Sequence, residues 1–393
     1  MSGAARLRAG FLPLVDAAPL IVAAELGFAD EEGVALDLRR APSWSVARDW
    51  LTMGEVEAAH LLAPVPVAAA LGLGGQACAL AAVMVMSVNG TVTGVSRSLA
   101  GRLRAAGHDF GFTDAAAAGR ALIGCAGAGL RIGVPFPFSM HAELVGRWLG
   151  ALDPQALSRI AIQTVPPPLM SEALAAGDID AFCVGEPWGS IAVESGAGEL
   201  LLPGAAIWAF APEKVLAVRE TWGEEVPDML DGLIRAVWRA GRWLAEPDNH
   251  TAASELLSRA RYLDVAPEII DRALGGRFVV SARGETRHCP GFVEFHRGGA
   301  NFPWRSQAAW IGQGLARRTG MPEAAAIAAA RAVFRSDLYR RAMAGTGAAL
   351  PTASAKVEGA IAVDLAVASE AGRLILRPDR FFDGSVFDPG DCE

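Results

Sequence analysis

Over its first ninety residues the chain alternates strand-like and helix-like segments. Strand patterns at residues 7–12, 34–39 and 56–62 are separated by helical patterns at 17–26 and 45–53. A β-α-β-α-β order of this kind builds a parallel sheet covered on both faces. The same order returns from Arg131, with strands at 131–134, 160–165 and 179–184 around helices at 141–149 and 169–176. Two similar α/β units are therefore expected. A local echo supports the duplication: Gly54-Glu55-Val56-Glu57-Ala58 and Gly177-Asp178-Ile179-Asp180-Ala181 each place a glycine at a helix end before an acid-apolar-acid entry into a strand. Asp178 and Asp180 lie at a strand entrance, away from where a parallel-sheet site belongs, and are expected to be solvated.

Apolar residues make up 52% of the 393 residues and charged ones 20%, which excludes a disordered scaffold. The balance of 35 basic against 43 acidic residues gives −8, so no global field exists to hold a polyanion, and nucleic acid is not expected as a direct partner. The stretch 61–88 carries no charge and is long enough to span a bilayer. Pro64, Pro66, Gly72, Gly74, Gly75 and Gln76 punctuate it, however, and predict a short helix, a turn and a buried strand instead of a membrane span. Residues 94–130 read as helix plus loop without chemistry. Beyond Ala206 the pattern is mainly helical, notably at 227–245 and 322–335, with a β-rich interruption at 277–281. Five scattered cysteines without C-x-x-C spacing, and an amino terminus without a secretory leader, predict reduced thiols and a cytoplasmic protein. The alternative is a periplasmic one whose natural chain starts further upstream.

Ligands of open parallel α/β sheets bind beyond the carboxyl ends of the strands. Those ends deliver Asp16, Ser43-Trp44, Pro64, the segment 135–141, Pro166-Pro167-Pro168 and Gly185-Glu186-Pro187-Trp188. Rigid prolines and aromatic walls with few ionisable groups describe a binding cleft better than a catalytic centre. His141 follows Ser139, a candidate N-cap, and would add a donor to the anion-attracting start of a helix. Only two of the basic residues are lysines, Lys214 and Lys356. In so arginine-biased a chain, Lys214 is a candidate for a position that needs an ammonium. Trp44 can wall a ligand and donate its indole N–H. Asn89-Gly90-Thr91 reads as a tight turn whose Gly90 and Thr91 can add donors.

Enzymatic readings lack motifs. Residues 124–133 miss the G-x-G-x-x-G spacing, and there is no P-loop, G-x-S-x-G or H-E-x-x-H. His288, Cys289 and His296 lack the further ligands of a zinc site. Neither a cofactor, a metal site nor a catalytic residue is expected.

Several segments together resemble the nitrate and bicarbonate branch of the type II periplasmic-binding-protein-like superfamily, which includes nitrate-transporter binding proteins and the cytoplasmic sensor NasS. They are Gly10-Phe11-Leu12-Pro13-Leu14 with Asp16, Ser43-Trp44, His60 with Pro64, Val165-Pro166-Pro167-Pro168, Pro212-Glu213-Lys214 and Asn301-Phe302-Pro303-Trp304-Arg305. The most specific is Ala181-Phe182-Cys183-Val184-Gly185-Glu186-Pro187-Trp188.

The resemblance implies a two-lobed α/β fold with the ligand between the lobes, residues 1–92 plus 207–393 forming one lobe and 93–206 the other. It implies a small oxyanion, nitrate or nitrite, held by Trp44, His141, Pro167 and Lys214; the turn and the strand end add Gly90, Thr91 and Glu186 as further ligand-binding candidates. Thr91 departs from the amide side chain expected near the Asn-Gly turn. Bicarbonate is less expected because that branch lacks the His141 and Lys214 pair. The role expected first is a sensor whose lobe closure signals to an antiterminator-type, NasT-like regulator. The alternative is the substrate-binding component of an ABC-type importer that docks on a permease. An enzyme of the same superfamily would need a His and Cys constellation that is not evident.

Overall fold

The computed structural model describes residues 5–75, 78–127 and 129–390; Gln76 and one of the five cysteines, Cys392, lie outside them. In chain order its first thirteen strands are β1 (Ala5–Phe11), β2 (Val34–Arg40), β3 (Ala58–Leu62), β4 (Leu80–Asn89), β5 (Thr91–Ser96), β6 (Leu130–Val134), β7 (Ile160–Thr164), β8 (Ala181–Gly185), β9 (Gly198–Pro203), β10 (Pro212–Arg219), β11 (Arg277–Val279), β12 (Thr286–His288) and β13 (Val293–Glu294). One sheet has the order β13-β4-β10-β3-β1-β2 and another the order β7-β6-β8-β5-β9.

The predicted parallel pairings are present: β1 lies between β2 and β3, and β6 between β7 and β8. Each sheet also contains an antiparallel strand that the alternation does not predict, β10 between β3 and β4, and β5 between β8 and β9. The reason is topological. The chain passes from the first sheet to the second at Gly90 and returns between Pro203 and Pro212, so β5 and β10 each enter a sheet from the opposite half.

The tight turn expected at the Asn-Gly pair is present, and the strands on either side of it belong to different sheets. Asn89 (φ 59°) and Gly90 (φ 93°) turn the chain across, a conformation that suits asparagine and glycine. The Asn89 side chain ties the two crossings together: Nδ2 donates to Ala209 O at 2.8 Å, and Oδ1 accepts from Ala211 N at 3.1 Å.

The uncharged stretch becomes the helix Pro64–Ala70 and strand β4, which is buried on both faces. No helix among the described residues is long and apolar enough to cross a membrane. The sequence echo has a structural counterpart. Gly54 (φ 81°) and Gly177 (φ 76°) both end helices in the left-handed region. Glu57 then accepts from Arg8 N at 2.8 Å and Nε at 3.1 Å, and Asp180 from Arg131 N and Nε, both at 3.0 Å. Asp180 is thus paired across parallel strands instead of solvated.

The helix Pro227–Leu244 packs its apolar face (Leu230, Leu233, Ile234, Val237) on the core beneath β1, β2 and β4. The β11–β12 hairpin sits with the second sheet, where Phe278 and Val280 join the core of Val92, Phe182 and Leu200, and Leu200 N donates to Val280 O at 2.8 Å.

Candidate functional site

Side chains from both sheets converge on a sealed cluster of charge. Beyond β1, the short turn Val15–Ala17 presents Asp16. His60 lies within β3, and Trp44 opens the helix Trp44–Met53, whose cap Ser43 accepts from Val46 N at 3.3 Å. From the other half comes His141, in the first turn of the helix Met140–Leu152, where Ser139 caps as expected and accepts from Ala142 N at 3.2 Å.

Because β10 runs antiparallel, its first residues reach the same edge as the last residues of the parallel strands, and Lys214 stands opposite Leu62 at the end of β3. Register shifts in the β10–β4 ladder flank Lys214. Neighbours on a regular strand point to opposite faces; this irregularity lets the consecutive Glu213 and Lys214 meet, with Nζ 2.8 Å from Oε1.

Lys214 Nζ is also 2.7 Å from Asp16 Oδ2, and His60 Nε2 is 3.0 Å from Asp16 Oδ1. His141 Nδ1 reaches across the lobes to within 3.3 Å of Glu213 Oε1. The Trp44 ring lies 5.4 Å from the ammonium and 5.5 Å from the His60 ring. Asp16, Trp44, His60, His141, Glu213 and Lys214 are each at most 2% exposed.

Burial and charge set the protonation states. Burial opposes the Lys214 charge, but Asp16 and Glu213 outweigh it and hold the amine above its usual range. Burial likewise opposes the Asp16 carboxylate, yet Lys214 and His60 hold it down at about 2. For Glu213 burial prevails over Lys214, and the carboxyl is raised to about 7. Burial lowers both histidines, His141 well below the usual imidazole range with Lys214 adding to the effect. Trp44 Nε1, both ring nitrogens of His60 and of His141, and Glu213 Oε2 are buried without an aligned hydrogen-bond partner. Polar atoms so placed mark where a polar ligand would be held.

Of the residues singled out in the sequence, the structure brings Trp44, His141 and Lys214 together. Gly90 forms the crossing, and Thr91 is buried in β5 beside Gly204 and the Cys183 thiol, which burial pushes up to about 12. Glu186 serves the helix Trp188–Glu194: its two carboxylate oxygens accept from Ser190 N, both at 3.2 Å. Pro167 is buried at the head of the turn Pro167–Leu169, where its ring can only wall a cleft. Asp16, His60 and Glu213 were not picked out as site residues. Asp16 had a signal, being the one acid delivered by a strand end of the first unit. The Glu213 side chain depends on an irregularity that no sequence pattern announces.

The two halves are in contact around the cluster. Val15 N donates to Glu186 O and Trp188 Nε1 to Pro13 O, both at 2.9 Å. The helix that carries His141 is pinned to the carboxyl-terminal region by Arg318–Glu143 (2.9 Å) and Arg147–Asp383 (2.8 Å).

Residues 2–258 match the NMT1-like family. The chain belongs to that family. Among curated relatives, the nitrate/nitrite binding protein NrtA of Nostoc sp. is 27% identical over 391 residues, 98% of this chain and 83% of that protein. Two proteins of Synechococcus elongatus are 32% identical: the nitrate import ATP-binding protein NrtC over 88% of this chain, and the bicarbonate transport ATP-binding protein CmpC over 80%. The chain spans about half the length of both, 51% and 46%. The crystal structure of the periplasmic nitrate-binding protein NrtA from Synechocystis superposes with a TM-score of 0.84 at 24% identity, covering 98% of this chain and 96% of that one. This NMT1-like chain therefore has the two-sheet periplasmic-binding-protein fold, as the motifs implied.

Proposed function

We propose that this protein captures a small monovalent oxyanion, nitrate or nitrite, between its two halves as the solute-binding component of an ABC-type importer. The observation that carries the reading is the sealed cluster in which Lys214 and Trp44 from one half meet His141 from the other. A planar, weakly basic anion gives up its hydration readily but needs several convergent donors. Lys214 supplies charge, and the indole and imidazole supply direction. Because the donors come from both halves, the anion favours the closed form that assembles them. The protein acts by binding and closure and is not an enzyme.

The sensor role read first from the sequence gives way to import, because the relatives carry import and binding-protein names. Bicarbonate is the competitor to exclude, since CmpC is as similar as NrtC. It brings a hydroxyl donor of its own, whereas nitrate and nitrite only accept. Isothermal titration with nitrate, nitrite, bicarbonate and a small sulfonate tests the proposal. Micromolar binding confined to nitrate and nitrite is expected; preference for bicarbonate or the sulfonate overturns the ligand assignment.

A further inference from the structure

Glu213 occupies an unusual place for a residue in an anion site. Its Oε1 faces both proposed anion donors, hydrogen-bonded to Lys214 Nζ at 2.8 Å and 3.3 Å from His141 Nδ1 in a charge contact not aligned as a hydrogen bond, while its Oε2 and both His141 nitrogens are buried without a hydrogen-bond partner. An ionised carboxylate there can only accept. Facing it, a neutral His141 places its single hydrogen on Nδ1, and Nε2 is left as a lone pair. A lone pair repels an oxyanion. Asp16 already neutralises Lys214 from the other side at 2.7 Å, so an ionised Glu213 would also make a bound anion the third negative charge around one ammonium.

A single added proton removes both obstacles. On Glu213 it is donated to Nδ1, so the imidazole hydrogen moves to Nε2; on the imidazole it leaves both nitrogens as donors. Either arrangement turns Nε2 toward a ligand as an N–H. We infer that the anion enters this site together with one proton, lodged in the Glu213–His141 pair, and that Glu213 is the positioning residue that sets this coupling.

The groups facing Glu213 leave the proton no other evident host. Lys214 on its own strand is already charged and held above its usual range. Asp16, on the turn after β1, is held at about 2 by Lys214 and His60. Cys183, on β8, keeps its own proton because burial raises the thiol to about 12. His60 interacts with Asp16 through Nε2. Glu213 itself is raised to about 7, so it is protonated in the free protein below that pH and must take up a proton above it.

The inference rests on the anion reading above, and one set of titrations separates the two. Nitrate and nitrite are titrated into the protein at pH 6 and pH 8.5 in two buffers of different ionisation enthalpy. The expected result is uptake approaching one proton per anion at pH 8.5, little uptake at pH 6, and affinity falling about tenfold per pH unit above pH 7. In Glu213→Gln, whose amide can donate to Nδ1 without titrating, the pH dependence and proton uptake disappear. That variant binds at least tenfold more tightly than the wild type at pH 8.5. Binding with the same enthalpy in both buffers at pH 8.5 overturns the inference and leaves the anion site standing, as does uptake that persists in Glu213→Gln. No binding of either anion by the wild type at pH 6 overturns the reading beneath it.

Discussion

Trp188 donates its indole N–H to the Pro13 carbonyl at 2.9 Å, which ties the residues after β8 to the loop that carries Asp16. With the Val15–Glu186 backbone hydrogen bond, this contact closes one side of the cleft. The Arg318–Glu143 pair holds the helix that carries His141 from another side. Glu143 is 8% exposed, and burial outweighs Arg318 to raise its carboxyl to about 7. Arg318→Ala is expected to keep the fold and weaken nitrate affinity a few-fold by loosening the closed form, as a partly exposed pair is worth roughly 1 kcal/mol. Calorimetry checks this; affinity equal to the wild type would remove the pair from the closure.

Lys214→Met leaves Asp16 and Glu213 buried without their shared cation. Nitrate binding is expected to vanish, and stability to fall by about 3–5 kcal/mol at pH 8. The loss shrinks at pH 5, because the variant's carboxyls titrate higher than in the unfolded chain and accept protons as the pH falls. Urea midpoints at the two pH values measure the difference. An equal loss at both would mean that the carboxylates are not what Lys214 compensates.

Glu186 offers a cleaner pH test because it stands outside the charged cluster. Burial raises its carboxyl to about 7. A raised acid stabilises the native state below the unfolded pKa, and that contribution is lost as the pH climbs to the folded one. Glu186→Gln does not titrate, so its stability relative to the wild type should rise between pH 5 and pH 8, by up to about 3 kcal/mol. Thermal unfolding of both proteins across that range decides; a constant difference contradicts the assignment.

Gly94 in β5 faces Phe182, and a Cβ there would stand 2.3 Å from the ring. Gly94→Ala is expected to cost about 1–3 kcal/mol by forcing the packed ring to move. A melting temperature like that of the wild type would show that Phe182 has room to shift.

How much of this was readable from sequence follows from the range of the forces involved. Local alternation located β1 to β3 and β6 to β8 with their helices, and cap chemistry placed Ser139 and His141 correctly. The partners of β5 and β10 are far away in sequence, so pattern alone assigned neither strand to its sheet, and the tight turn read at Asn89-Gly90 is where the chain crosses between the sheets. Trp44, His141 and Lys214 were recoverable because strand ends and residue rarity pointed to them. Glu213 was not, since an acid beside a lysine ordinarily implies two opposite faces, and only the irregular β10 brings them together. Glu186 was chosen for its position at a strand end, yet its side chain serves the following helix.

The most direct test of the account is a crystal structure of the protein grown with saturating nitrate. The account predicts the anion between the halves, about 2.7–3.2 Å from both Lys214 Nζ and His141 Nε2, with the Trp44 ring beside it. Nitrate ordered elsewhere, or bound to only one half of the protein, would contradict it.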